Sequence, residues 1–186
     1  MRFIMTMARA SQFTIRHARL TDASDIAAIH CASWRDAYAN VLDPTFLSGP
    51  IEDDRRTLWS ERLQTPDPKR TILLGEGINS TPVGFGCAYG DLDPVWGSWI
   101  DNLHVRPDLR GGGIGRRIID AVARCLEAGA ASRGAHLWVF EANEAALRFY
   151  SRLGGEIVEH GASQIPAARG ATILRVFWRD IAALKG

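Results

Sequence analysis

Cysteine is scarce in this chain: Cys31, Cys87 and Cys125 are all there is in 186 residues. They stand too far apart for zinc-ligand spacing, are too few for a disulfide framework, and sit among apolar neighbours. They read as buried thiols of a reducing compartment. The five histidines are scattered too, so no metal is expected. An excess of either charge is also missing. The 22 Lys and Arg offset 21 Asp and Glu to leave +1. Without a basic tract or an acidic tail, a nucleic-acid partner is not expected. No apolar run approaches the ~20 residues that cross a bilayer, so no membrane association is expected either. Met1 to Ala10 holds two arginines and too short an apolar stretch for a signal peptide. Residues 1–11 therefore read as a flexible extension, with Met5 and Met7 as alternative starts, and the expected location is cytoplasmic.

What is present suits one globular domain over residues 12–182. A hydrophobic share of 46% and a charged share of 23% are ordinary for a soluble fold with a substantial core. Phe13 to Arg16 reads as a first strand. Thr21 or Asp22 caps a helix that carries Ile26, Ile29 and Trp34 on one side. Pro44 and Pro50 break the next stretch into short helices, and Glu52 to Leu63 is helical with Leu58, Trp59 and Leu63 at core spacing. Thr71 to Leu74, Val83 to Tyr89 and Trp99 to Val105 read as strands. A helix from Ile114, the strand Ala135 to Phe140, and a helix capped by Asn143 and stopped by Gly154-Gly155 come next. Glu156 to Glu159 and Thr172 to Trp178 close the chain as strands. No repeat or linker divides it.

The most informative segment is Arg110-Gly111-Gly112-Gly113-Ile114-Gly115, set between a strand and an amphipathic helix. Glycine allows positive φ and close approach of a ligand. The first N–H groups of the following helix lack internal partners and carry the positive end of its dipole, which makes a phosphate site. Arg116 and Arg117 add charge beside it. A Walker loop needs Lys and then Ser or Thr after its last glycine, and here Arg116-Arg117 follows Gly115. The dinucleotide pattern G-x-G-x-x-G fails as well, since the sixth position is Arg116 or Ile118. The pattern that fits is Arg-x-x-Gly-x-Gly at Arg110, Gly113 and Gly115.

At this turn the chain resembles the GCN5-related N-acetyltransferase (GNAT) superfamily, and the element order matches over roughly residues 12 to 180. Leu103 to Arg117 and Leu137 to Gly155 carry the likeness most sharply, with Ser33 to Tyr38 resembling the first-helix region of many bacterial members. The resemblance implies an α/β (α+β) fold: a mixed, mostly antiparallel, seven-stranded twisted sheet flanked by about four helices. It implies acetyl-CoA as co-substrate, with pyrophosphate held by backbone N–H groups of Gly111, Gly113, Gly115 and Arg116, with Gly112 and Ile114 completing the turn, and with Arg110 either shaping the turn, pairing with phosphate or simply solvated. The pantetheine arm would pair along Leu103, His104 and Val105 like an added strand. Asn143 and Tyr150, two helical turns apart, would contact the arm and protonate the departing thiolate respectively. Each has a plainer reading, Asn143 as an N-cap and Tyr150 as a core aromatic.

The base that relieves the amine of its proton is expected to be Asp101, acting through water, with His104, Glu141 and bulk solvent as the alternatives. Alternation puts Asp101 and His104 on opposite faces unless a bulge intervenes. Trp34 and Tyr38, with the acidic run Glu52-Asp53-Asp54, could form an aromatic and anionic mouth for a cationic amine. Core packing for Trp34 and a solvated helix turn for the acids is the alternative. The implied function is transfer of acetyl to a primary amine of a small molecule or peptide by direct attack in a ternary complex. The competing readings are a non-catalytic acyl-CoA-binding module and a nucleotide-binding domain of another fold. Homodimerisation is left open.

Overall fold

The computed structural model describes residues 13–129 and 134–185. The expected extension, residues 1–11, lies outside them. Seven strands appear in the expected order: β1 (Thr14–His17), β2 (Arg70–Glu76), β3 (Pro82–Asp93), β4 (Gly97–Val105), β5 (Ala135–Phe140), β6 (Glu156–Ala162) and β7 (Thr172–Trp178). They form one sheet in the order β1-β2-β3-β4-β5-β7-β6. Only β4 and β5 run parallel; the other neighbours are antiparallel. The described helices are α1 (Ala23–Ala37), α2 (Pro44–Ser48), α3 (Pro50–Gln64), α4 (Ile114–Gly129) and α5 (Glu144–Arg152). Proline at the first helical position starts both α2 and α3, so the segment between Asp43 and Glu52 divides into separate helices. Asp43 caps α2 by accepting from the Thr45 N–H at 2.8 Å. None of these helices is long and apolar enough to cross a membrane.

Strand alternation builds a core on each side of the sheet. Leu73 of β2 and Val83 of β3 face α4, whose Ile114, Ile118, Ile119, Val122 and Leu126 form a continuous buried stripe. Ile72, Leu74, Phe85 and Cys87 face the other way, against Ile26 and Ile29 of α1 and Trp59 of α3. Close packing of α4 on β3 needs a missing side chain. A Cβ on Gly86 would lie 2.9 Å from Val122 and 3.0 Å from Ile118.

Two irregularities shape the site. Along β3 and β4, Cys87 pairs with Asn102 but Ala88 pairs with Ile100, leaving Asp101 as the extra residue of a β-bulge. The bulge reverses the parity of the strand, so Asp101 and His104 both reach the α1–α3 side rather than opposite faces. Secondly, β4 and β5 pair only at Ser98↔Ala135 and Trp99↔His136. Beyond Trp99 the strands part, and a slot opens through the middle of the sheet.

Candidate active site

The slot widens into a cavity of about 1530 Å³. One end is the glycine turn. Gly111 and Gly113 adopt φ of 83° and 78°, which a side chain would strain, and nothing lies within 4 Å of where their Cβ atoms would be. The Arg117 N–H bonds the Gly113 carbonyl at 3.1 Å. The N–H groups before it, Ile114 to Arg116, therefore have no intrahelical partner. Arg116 lines the cavity, and its buried Nη1 lacks a hydrogen-bond partner among the described residues. Free N–H groups, a helix N-terminus and an orphaned guanidinium nitrogen together fit a phosphate group.

Other residues of the turn behave differently. Arg117 stacks on the Phe13 ring at 3.9 Å and donates to the Phe13 carbonyl, tying α4 to the start of β1 instead of facing the cavity. Gly112 does not line the cavity. Arg110 reaches back to α1, where it pairs with Asp36 and donates to Ser33 Oγ at 3.0 Å. It therefore braces the turn against α1. Ile114 is buried in the α4 stripe.

On β4 the Arg106 N–H bonds the Val83 carbonyl. Counting back by twos, His104 main-chain groups face β3, whereas those of Leu103 and Val105 face the slot, where β5 offers no partner. That unpaired edge suits an extended amide-bearing arm. The His104 side chain turns to α1. Its Nδ1 lies 2.9 Å from Ser33 Oγ, and its ring stacks on His30 at 4.5 Å. Burial, with help from Arg110 and Arg55, depresses the His104 imidazole to about 3.

Opposite β4, Asn143 caps α5 by accepting from the Ala146 N–H at 3.1 Å, and its amide nitrogen stands 3.4 Å from Tyr38 Oη. Tyr150 is 8% exposed and lines the cavity, and its hydroxyl has no hydrogen-bond partner among the described residues. Burial and nearby Tyr38 push its phenol well above the ordinary value. Asn143, Tyr38 and Tyr150 are thus brought together, as are Leu103 and Val105 with the glycine turn.

Asp101 is not an open carboxylate. Arg62 of α3 pairs with it and the Asn102 amide donates to it. Burial raises its pKa, against the pull of Arg62. Trp34 is largely buried but lines the cavity, with Arg55 stacked 4.6 Å above its ring. Of the acidic run only Asp54 lines the cavity. Glu52 pairs with Arg35 and Asp53 with Arg56 on exposed parts of α3, and Asp54 pairs with Arg55. Sequence reasoning missed Arg55, Arg62, Ser33 and His30. Arg55 and Arg62 lie seven residues apart, two turns of one helix face, and that spacing was the available signal.

Comparison with known proteins agrees with this geometry. The sequence profile described as the Acetyltransferase (GNAT) family matches residues 20–155. The chain is 29% identical over 147 residues to the probable N-acetyltransferase Rv2775 of Mycobacterium tuberculosis, covering 77% of this chain and 80% of that protein. It is 24% identical over 176 residues to the uncharacterized N-acetyltransferase YuaI of Bacillus subtilis, covering 92% and 96%. Its fold matches a PaiA N-acetyltransferase from Thermoplasma acidophilum, crystallised with coenzyme A, with a TM-score of 0.70 at 15% identity, covering 88% and 98%. Sheet topology, glycine turn and profile together establish that the chain is an acetyltransferase belonging to the GNAT family.

Proposed function

We propose that the chain moves an acetyl group from acetyl-CoA to a primary amine of a small molecule or peptide, by direct attack in a ternary complex. The observation that supports this most is the alignment along one slot of an orphaned phosphate-type end, an unpaired strand edge and a tyrosine hydroxyl with no hydrogen-bond partner among the described residues. Acetyl-CoA, when bound, supplies the thioester that the amine attacks. Gly111, Gly113, Gly115 and Arg116 hold the pyrophosphate through backbone N–H groups, joined by the Arg116 guanidinium. Leu103 and Val105 orient the arm by main-chain pairing, and Asn143 fixes its position relative to Tyr38.

Tyr150 keeps its proton through neutral pH because burial disfavours the phenolate. Its hydroxyl is the group positioned to hand that proton to the departing sulfur. Asp101 holds the amine proton indirectly, through water, since Arg62 and Asn102 occupy its near side. Its raised pKa makes it a better proton acceptor than a surface aspartate. Three unpaired thiols fit a reducing compartment such as the cytoplasm.

The test combines binding and turnover. Acetyl-CoA should raise the melting temperature by mass action, and an amine and peptide panel should release free thiol from it. A melting shift without thiol release from any member would support the non-catalytic alternative. No shift at saturating acetyl-CoA would overturn both.

A further inference from the structure

Past Asp101 the cavity leaves the cofactor end and meets the inner face of α3, where Arg55 and Arg62 both line it. Asp101 is four residues from Val105, about 13 Å along the strand. These arginines therefore lie on the acceptor side of the thioester. Arg62 is neutralised: it pairs with Asp101, and the two side chains are 18% and 13% exposed. Arg55 is different. Its side chain is 15% exposed and lies over the Trp34 ring, while the carboxylate that balances it, on the adjacent Asp54, is 44% exposed. Asp54 lines the cavity beside it and is the more exposed member of the pair. Asp54 takes only Nε and Nη2, and Arg55 Nη1 has no hydrogen-bond partner among the described residues. Its positive field reaches inward, contributing to the depression of both His104 and His30. The other carboxylates that line the cavity are engaged as well, Glu159 by Arg175 and Asp101 by Arg62, so none of them is left for Arg55 Nη1.

We infer that the acetyl acceptor carries a carboxylate close to its reacting amine, and that Arg55, held on Trp34, receives it. This deepens the acetyltransferase reading and rests on it. A guanidinium presents a planar fork that matches a carboxylate, and in a partly desolvated site such a pair is stronger than at the surface. A polyamine or other polycation would instead find the lining carboxylates Asp54, Asp101 and Glu159 already paired with arginines. The acceptor is thus an amino acid or an amino-acid-like molecule, and Trp99 and Trp138, which line the same cavity, favour an apolar or aromatic side chain.

The test is a matched set: phenylalanine, phenylalaninamide and phenethylamine, assayed with acetyl-CoA for thiol release. Phenylalanine should be used with a kcat/KM at least about 10-fold above the other two. The amide has the less basic amine and hence more of the reactive neutral form, so that bias works against the expected result. Arg55→Gln should bring the acid-to-amide ratio towards one, mainly through KM for the acid, and Arg55→Lys should restore part of it. Equal or better use of the uncharged partners overturns the inference. So does an Arg55→Gln protein in which all three fall equally, which would mark Arg55 as packing for Trp34. Calorimetric titration of phenylalanine and its amide, without acetyl-CoA, reads the subsite separately. Binding about 10-fold tighter for the acid supports it, and equal binding overturns it. No thiol release with any of the three, while acetyl-CoA still raises the melting temperature, overturns the carboxylate subsite. A lost acetyl-CoA shift is instead a failure of the acetyltransferase reading.

Discussion

Two side chains show how one variable, burial, sets opposite chemical tasks. Burial keeps Tyr150 protonated, because the phenolate would be the charged form, and keeps His104 unprotonated, because the imidazolium would be. Tyr150→Phe removes only the hydroxyl and leaves the ring contacts with Phe149 and Trp178 in place. Turnover should fall by about 10²-fold or more, with KM for acetyl-CoA little changed and the acetyl-CoA melting shift retained. Unchanged kcat would make the hydroxyl a spectator. His104 has a consequence for stability. The unfolded imidazole takes up a proton below pH ~6.5, whereas the folded one, depressed to about 3, refuses it. Stability is therefore fully present above the unfolded value and lost as pH falls towards the folded one. By pH 5 the loss from His104 should be about 2 kcal/mol relative to pH 8, and His30, depressed in the same direction, adds to it. Denaturant midpoints at the two pH values measure this, and His104→Gln should flatten the difference. An equal drop in that variant would place the acid sensitivity elsewhere.

At the scale of elements, the glycine turn can be tested without disturbing the core. Gly113 has open space around the missing Cβ but a φ of 78°. Gly113→Val should cost about 1–2 kcal/mol of backbone strain and abolish the acetyl-CoA melting shift, while circular dichroism stays native. A retained shift would remove the phosphate role of this turn. The turn was legible in the sequence because glycines between an alternating strand and a 3.6-period helix have few other uses. The seven strands were legible for the same reason: periodicity is local. What escaped was whatever depends on pairing between distant segments. The bulge at Asp101 is set by register against Cys87 and Ala88, so alternation alone sent Asp101 and His104 to opposite faces. Arg117 looked like a phosphate ligand from its position beside the glycines, but the ring of Phe13, 104 residues away, claims it. The acidic run at the start of α3 admitted two readings, a binding mouth or a solvated helix turn, and its partners Arg35 and Arg56 become visible only once helices are placed.

Over the whole molecule, the sheet is two half-sheets joined weakly. β1 to β4 form one antiparallel run and β5, β7 and β6 another, and only two residue pairs of β4 and β5 connect them. Residues of α4 and α5 also pack into one core with residues of both halves. A ligand lying in the slot would replace missing strand pairing and bridge the halves, stabilising the folded state by its binding free energy. Acetyl-CoA should therefore slow hydrogen exchange most at the amides that face the slot, Leu103 and Val105, and at Ile114 to Arg116 in the turn. The amides of β1 and β2, which pair with each other away from the slot, should gain protection only through the global stability increase, equally at every core site. Exchange followed by mass spectrometry or NMR distinguishes the two patterns. Uniform protection across both halves, with no excess at Leu103, Val105 and the turn, would mean that the arm does not lie along β4 and that the slot is bridged by packing alone.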